Sequence, residues 1–124
     1  MHGSAYANKA IQESDCIIAL GSRFDDRTIG TKETYGLNAK NAGERKEGGI
    51  IHVNIDKSTF NSIIESDYSV NLDCGKFLDN IIKYTEYKER VEWINNIKKL
   101  KEKYPFKYDE NDYLIYSQDV LKEL

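Results

Sequence analysis

The sequence has 124 residues, a net charge of −3 and 40% hydrophobic residues, which is enough for one modest domain. That balance argues against a dedicated nucleic-acid binder, whose contact face is basic, and no apolar run reaches the roughly 20 residues of a bilayer-spanning helix. The two cysteines, Cys16 and Cys74, form no C-x-x-C pair, which argues against zinc, and the first ten residues lack the charged start and apolar core of a signal peptide.

Ser4 reads as a helix cap, with Tyr6, Ala7, Ala10 and Ile11 on one face of the helix that runs to Ser14 and Asp15. CIIAL, Cys16–Leu20, then reads as a short continuous strand with both faces covered, as in a parallel sheet. On this reading Cys16 is a small buried hydrophobe. Residues 25–49 read as a long polar loop with room for one helical turn, and a loop of that length in a small domain usually carries function. GIIHVNI, residues 49–55, is the second strand, and DKSTFNSII is a turn or short helix. DYSVNL, residues 67–72, is the third strand, with Tyr68, Val70 and Leu72 on one face. Asp73 caps a helix over residues 74–84 whose apolar face is Phe77, Leu78, Ile81 and Ile82.

After Tyr84 the character changes. ERVEWINNIKKLKEKYP predicts a long amphipathic helix with Trp93, Ile97, Leu100 and Tyr104 in one stripe, stopped by Pro105. FKYDENDYLIY is irregular and polar-aromatic. Ser117 caps a last helix, and a chain that ends inside a helix is expected to be a piece of something longer. The fold class that follows is α/β, a parallel sheet flanked by helices, truncated.

Open α/β sheets bind ligands at the carboxyl ends of their strands. Three loops should meet there, at residues 21–27, 54–59 and 72–75. Gly21 lets backbone approach a ligand closely. Arg23 and Arg27 offer planar forks for phosphate or carboxylate. Asn54 holds the strand-end position where dinucleotide sites place an acid for ribose hydroxyls, and Asp73 can cap its helix and accept from a ligand hydroxyl. A solvated, self-neutralising turn at RFDDR fits the spacing equally well, and neither common phosphate-loop fingerprint is present. Asp25 and Asp26 are a poor acid/base pair, because adjacent side chains diverge and two arginines keep both ionised. His52 lies inside a strand and reads as structural, while His2 stays open. There is no Ser/His/Asp or Cys/His arrangement and no metal site.

MHGSAYANKAIQESDCIIALGSRFDDR resembles the central domain of the acetolactate synthase (acetohydroxyacid synthase) catalytic-subunit family. The resemblance is carried by Met1-His2-Gly3, Ala7-Asn8, Ala10-Ile11-Gln12, Ser14-Asp15 and the run from Gly21 to Arg27. GGIIHVNID is similar to the next family strand. AGERKEGG, ERVEWINNIKKLKEKYPFKY and SQDVLKEL are similar to the fungal form, so the resemblance covers essentially the whole chain. It implies a Rossmann-like domain that holds FAD, lined by Met1, His2, Gly21, Ser22, Arg23, Asp25, Asn54, Ile55 and Asp73. It also implies that Arg27 faces the carboxylate of a second 2-ketoacid, a group that suits a planar fork.

The activity implied is condensation of pyruvate with that ketoacid, with loss of CO2, in branched-chain amino-acid biosynthesis. Thiamine diphosphate and Mg2+ serve it from sites outside this segment, and FAD takes no redox part. A homodimer or tetramer with a regulatory subunit is implied, in mitochondria for a fungal enzyme and otherwise in the cytoplasm. The family's catalytic Glu and its diphosphate motif lie outside a segment of this kind. The chain is therefore expected to be a fragment: residues 1–84 from the central domain, and 85–124 a linker helix and the start of the thiamine-diphosphate domain. Such a fragment is expected to be inactive alone and marginally stable, with an unpaired apolar edge strand. Two positions depart from the family pattern: Asn54 stands for an Asp or Glu, and Leu72 for a Gly. The alternative is a stand-alone nucleotide- or flavin-binding module without catalysis.

Overall fold

The computed structural model describes residues 3–105, 107, 113 and 115–124. Among them three strands, β1 (Cys16–Leu20), β2 (Gly49–Asn54) and β3 (Tyr68–Asn71), form a parallel sheet in the order β1-β2-β3. Cys16 to Leu20 pair with Gly49 to Val53, and Ile51 to Asn54 pair with Tyr68 to Asn71. β2 is the central strand, and every residue in it except Ile51 is buried. That is why its sequence is a near-continuous apolar run.

Six helices accompany the sheet among the described residues: α1 (Ala5–Glu13), α2 (Asp26–Ile29), α3 (Leu37–Glu44), α4 (Cys74–Ile81), α5 (Val91–Lys103) and α6 (Ser117–Glu123). The core gathers Ala19, Phe24, Ile29, Tyr35, Ala39, Ile50 and Ile64, with Ile11, Ile17 and Ile63 packed against it. It lies between the sheet and the layer formed by α1 and α3, which also touch each other.

Several expectations are corrected. Residues 25–49 hold two helices, not a loop with one turn. Asp25 caps α2, and Gly30 at φ 73° ends it. Gly36 at φ 58° precedes α3, and its N–H donates to Gln12 Oε1 of α1 at 2.8 Å. A Cβ on Gly36 would come within 2.9 Å of Ile17 Cδ1, the end of a side chain that can turn aside, so it is the positive φ that calls for glycine in this turn. β1 is not covered on both faces. Ile17 and Ala19 join the core side, but Ile18 and Leu20 on the other side are 51% and 41% exposed. β1 is an edge strand, and α4 packs against β2. Cys16 is exposed, not buried. Its thiol is nonetheless pushed up, by partial desolvation first and by Asp15 and Asp67 second.

Asp73 caps α4, as read. The helix stops at Ile81 and continues as a 3-10 turn, Ile82–Tyr84. Of its four apolar side chains only Phe77 is buried, and Leu78, Ile81 and Ile82 face outward.

The stripe of α5 is seated as read: Trp93, Ile97, Leu100 and Tyr104 are its half-buried residues, and α5 packs on α1. Lys9 Nζ lies 5.2 Å from the Tyr104 ring centre and Lys101 Nζ 5.8 Å from that of Tyr6, cation–π contacts that cross between the two helices. Asn96 Nδ2 donates to Glu13 Oε2 at 2.9 Å. The cap of α6 is Tyr116, one residue before Ser117, and its N–H donates to Asp119 Oδ2 at 2.7 Å. Most of FKYDENDYLIY lies outside the described residues.

Candidate functional site at the carboxyl edge of the sheet

Each of the three parallel strands ends in a turn organised by an aspartate. After β1, Gly21 adopts φ 66°, and its N–H donates to Val53 O at 2.8 Å. Its glycine character answers to that φ. A Cβ there would meet only Cys74 Sγ, at an ordinary 3.8 Å, so the space above it is open. Ser22 Oγ accepts the Phe24 N–H at 3.1 Å. Phe24 itself has φ 52°, a left-handed conformation that costs a non-glycine residue of order 1 kcal/mol or more. Its ring, 2% exposed, is driven into the core, edge-on to Tyr35 at 5.8 Å and to His52 at 4.8 Å. Burial of a phenyl ring outweighs that strain.

With Phe24 pinned inward, its charged neighbours stay near the surface. Asp25 Oδ1 accepts the Thr28 N–H at 2.9 Å and the Thr28 hydroxyl at 2.8 Å. These bonds, and then Arg23 and Arg27, hold the Asp25 carboxyl below its ordinary value. It is an ionised cap, not half of an acid/base pair. Arg23 and Arg27 are exposed, and neither makes a hydrogen bond or ion pair among the described residues. The RFDDR turn is therefore not closed on itself by ion pairs, and both guanidinium forks are left for something else.

The second loop supports the first. Asn54 is 6% exposed. Its Nδ2 donates to Ser22 O at 3.0 Å, and its Oδ1 accepts the Asp56 N–H at 3.0 Å. Both ends of the Asn54 amide are thus engaged within the loop. His52 Nε2 bonds the same Ser22 O at 2.7 Å. Ile55 is exposed at the rim. Asp56 Oδ1 accepts from the Ser58 N–H and hydroxyl at 2.9 and 2.7 Å, which lowers its pKa. Asn71 Nδ2 donates to Asn54 O and Ile55 O, both at 2.9 Å. Asp73 Oδ1 accepts the Lys76 N–H at 3.1 Å.

Gly21, Ser22, Arg23, Asp25, Arg27, Asn54, Ile55 and Asp73 thus share the carboxyl edge, while Met1 and His2 lie outside the described residues. Sequence reasoning missed Phe24 as the pin and His52 as a loop contact. The signal for His52 was the period of two along β2, which puts it on the same face as Asn54.

What this edge offers chemically is two exposed guanidinium groups, without a hydrogen bond or ion pair among the described residues, beside open backbone and suited to a diphosphate or a carboxylate. Among the described residues no group of three or more His, Cys, Asp or Glu is placed to hold a metal ion, and no helix is long and apolar enough to cross a membrane. A cleft of about 1050 Å3 lies at the opposite, amino-terminal edge, between the start of β1 and α5. Glu13, Asp15, Glu47, Glu89 and Glu92 outnumber Arg90 in its lining. It lies at the other end of the strands from the arginine loop, and its carboxylates repel the anions that loop would attract.

The family model for the thiamine pyrophosphate enzyme, central domain, matches residues 1–81. The whole chain aligns with the acetolactate synthase catalytic subunit, mitochondrial, of Saccharomyces cerevisiae at 38% identity, over 18% of that protein. It also aligns along its whole length with the mitochondrial acetolactate synthase of Schizosaccharomyces pombe at 36%, over 19% of that protein. With the acetolactate synthase large subunit of Lactococcus lactis, 98% of the chain aligns at 32% identity, over 20% of that protein. The chain spans about a fifth of the length of these relatives.

Proposed function

Because this chain belongs to the family of thiamine pyrophosphate enzyme central domains, we propose that it is the FAD-holding segment of an acetolactate synthase catalytic subunit. The observation that carries the proposal is the pair of free guanidinium forks, Arg23 and Arg27, on a turn pinned by Phe24 and clamped from β2.

The residues present fit the cofactor. Arg23 supplies the fork for the FAD diphosphate. Gly21 and Ser22 leave open backbone beside it, and Ile55 and Asp73 form the rim on the neighbouring loops. Asp25 and Asn54 act from behind, one capping α2 and the other bonding Ser22. Bound FAD serves as a structural group in the main reaction. Arg27 binds and orients the carboxylate of the second 2-ketoacid, which condenses with pyruvate as CO2 leaves.

Thiamine diphosphate and Mg2+ sit outside this segment, so the isolated chain forms no acetolactate. Residues 1–84 serve as the cradle and 85–124 as the connection toward the thiamine-diphosphate domain. The fungal relatives' names, mitochondrial for both and catalytic subunit for one, support a mitochondrial location and a regulatory partner subunit, and assembly as a homodimer or tetramer belongs to the same proposal.

The test is a titration of the purified chain with FAD, read by flavin fluorescence and thermal melting. Saturable binding that raises Tm with FAD concentration, and is lost in Arg23→Ala, supports the reading. A chain that melts cooperatively yet shows no saturable flavin signal refutes it.

A further inference from the structure

β2 sends two side chains to one oxygen. His52 and Asn54 lie two residues apart, hence on the same face of the strand. Both bond the carbonyl oxygen of Ser22, at 2.7 and 3.0 Å. Both residues are buried, at 0% and 6% exposed. Asn54 has a second task, since its Oδ1 also holds the Asp56 N–H. His52 has none.

Its Nε2 must carry the proton to donate to a carbonyl, which fixes the tautomer. Nδ1 is then a bare acceptor, and it is buried with no partner among the described residues. The ring stands edge-on between Phe24 at 4.8 Å and Phe60 at 5.0 Å. A phenyl ring would fill that slot without leaving an acceptor unpaired. What the imidazole adds to the slot is one N–H, aimed at Ser22.

We propose that His52 is the positioning residue of the cradle. With Asn54 it clamps the Ser22 carbonyl, and so fixes the backbone path through the left-handed Phe24 that presents Arg23 and Arg27. The clamp reaches across 30 residues of sequence, from the rigid central strand to the loop that carries the charges. This deepens the reading that those arginines hold FAD and a carboxylate, and rests on it for its functional consequence.

The experiment uses the purified chain with His52→Phe and His52→Gln. The first keeps an aromatic ring between Phe24 and Phe60 and removes the donor. The second returns an amide N–H at similar reach. Amide hydrogen exchange is followed at Phe24 and Thr28 in the loop, and at Ile50 and Val53 in β2. The FAD dissociation constant is measured alongside.

In His52→Phe, loop amides exchange faster while β2 amides keep their protection, and FAD binding weakens by about tenfold, the scale of one buried hydrogen bond. His52→Gln recovers both. Equal loop protection in His52→Phe overturns the clamp, and so does uniform loss across loop and strand that Gln fails to rescue. If wild-type chain binds no FAD, the cofactor reading fails, and the exchange pattern still decides the clamp. If His52→Phe does not fold, nitrogen NMR of the wild-type imidazole decides it: Nε2–H with bare Nδ1 supports the clamp, and the opposite tautomer overturns it.

Discussion

Asp67, just before β3, accepts the backbone N–H of Ile50 through Oδ2 at 2.7 Å. The β2–β3 register begins only at Ile51 and Tyr68, so this carboxylate finishes the hydrogen bonding of β2 one residue before the ladder starts. The fit is tight. A Cβ on Gly43 would collide with Asp67 Oδ1, and one on Gly49 would come within 2.6 Å of Asp67 Oδ2. Gly49 also sits at φ 125°.

Two losses follow from that geometry. Asp67→Ala leaves the N–H of fully buried Ile50 without its partner, at about 1–3 kcal/mol. Gly49→Ala adds backbone strain of about 1–3 kcal/mol and displaces the carboxylate. Asp67→Asn keeps an acceptor and stays near wild type. Urea unfolding of the three variants checks the order, and an Asp67→Ala midpoint equal to that of wild type would sink the argument.

Acid should loosen the charged turns before it unfolds the core. Asp25 and Asp56 both have carboxyl pKa values lowered by their own caps, from Thr28 and from Ser58. A group whose folded pKa is depressed stabilises the fold above its unfolded pKa. That stabilisation is lost as pH falls from the ordinary carboxylate value through the lowered folded one. Tm should therefore decline on acidification below about pH 4, and the decline should be shallower in Asp25→Asn/Asp56→Asn. Identical Tm-versus-pH curves for the two proteins would refute it.

The two arginines should separate by function. Arg23→Lys swaps a planar fork for a point charge and weakens FAD binding by about tenfold, the scale of one charge-assisted bond. Arg27→Lys leaves FAD affinity within about twofold, well under the scale of such a bond. In the full-length enzyme Arg27→Lys raises KM for the second ketoacid. Flavin titration and steady-state kinetics on both variants distinguish them, and equal loss of FAD affinity in the two would merge their roles.

The uncovered side of β1 is an aggregation liability. Ile18 and Leu20 lie exposed on an edge strand, the situation that natural sheets blunt with charge. Ile18→Lys should raise the concentration at which the isolated chain stays monodisperse, as seen by light scattering. Unchanged aggregation at matched concentration would locate the sticky surface elsewhere, for instance on the outward apolar side chains of α4.

Much of this fold was legible because its strands are short apolar runs bounded by polar caps. CIIAL, GIIHVNI and DYSVNL each end in such a boundary, and Ser4, Asp73 and Pro105 punctuate the helices. α3 was not legible, because the residues it buries are Ala39 and Ala42. Small side chains suit a helix lying close against the sheet, but they leave little apolar period to read. The open face of β1 escaped notice for another reason: a continuous apolar run shows that a strand can be covered, not that it is. At the site, the arginines were legible by residue type. The hydrogen bonds from His52 and Asn54 to Ser22 were not, since side-chain bonds to backbone some 30 residues away leave no local pattern.

Phe24 gives the arginine loop the character of a bayonet fitting. The pin is a ring seated edge-on to Tyr35 and His52, and the backbone twist that seats it is one that a phenylalanine holds only while seated. Intermediate settings have neither the burial nor a relaxed backbone, so the loop is either locked or released. Loosening the packing around Tyr35 or Phe60 then disturbs the loop that carries Arg23 and Arg27 from a distance.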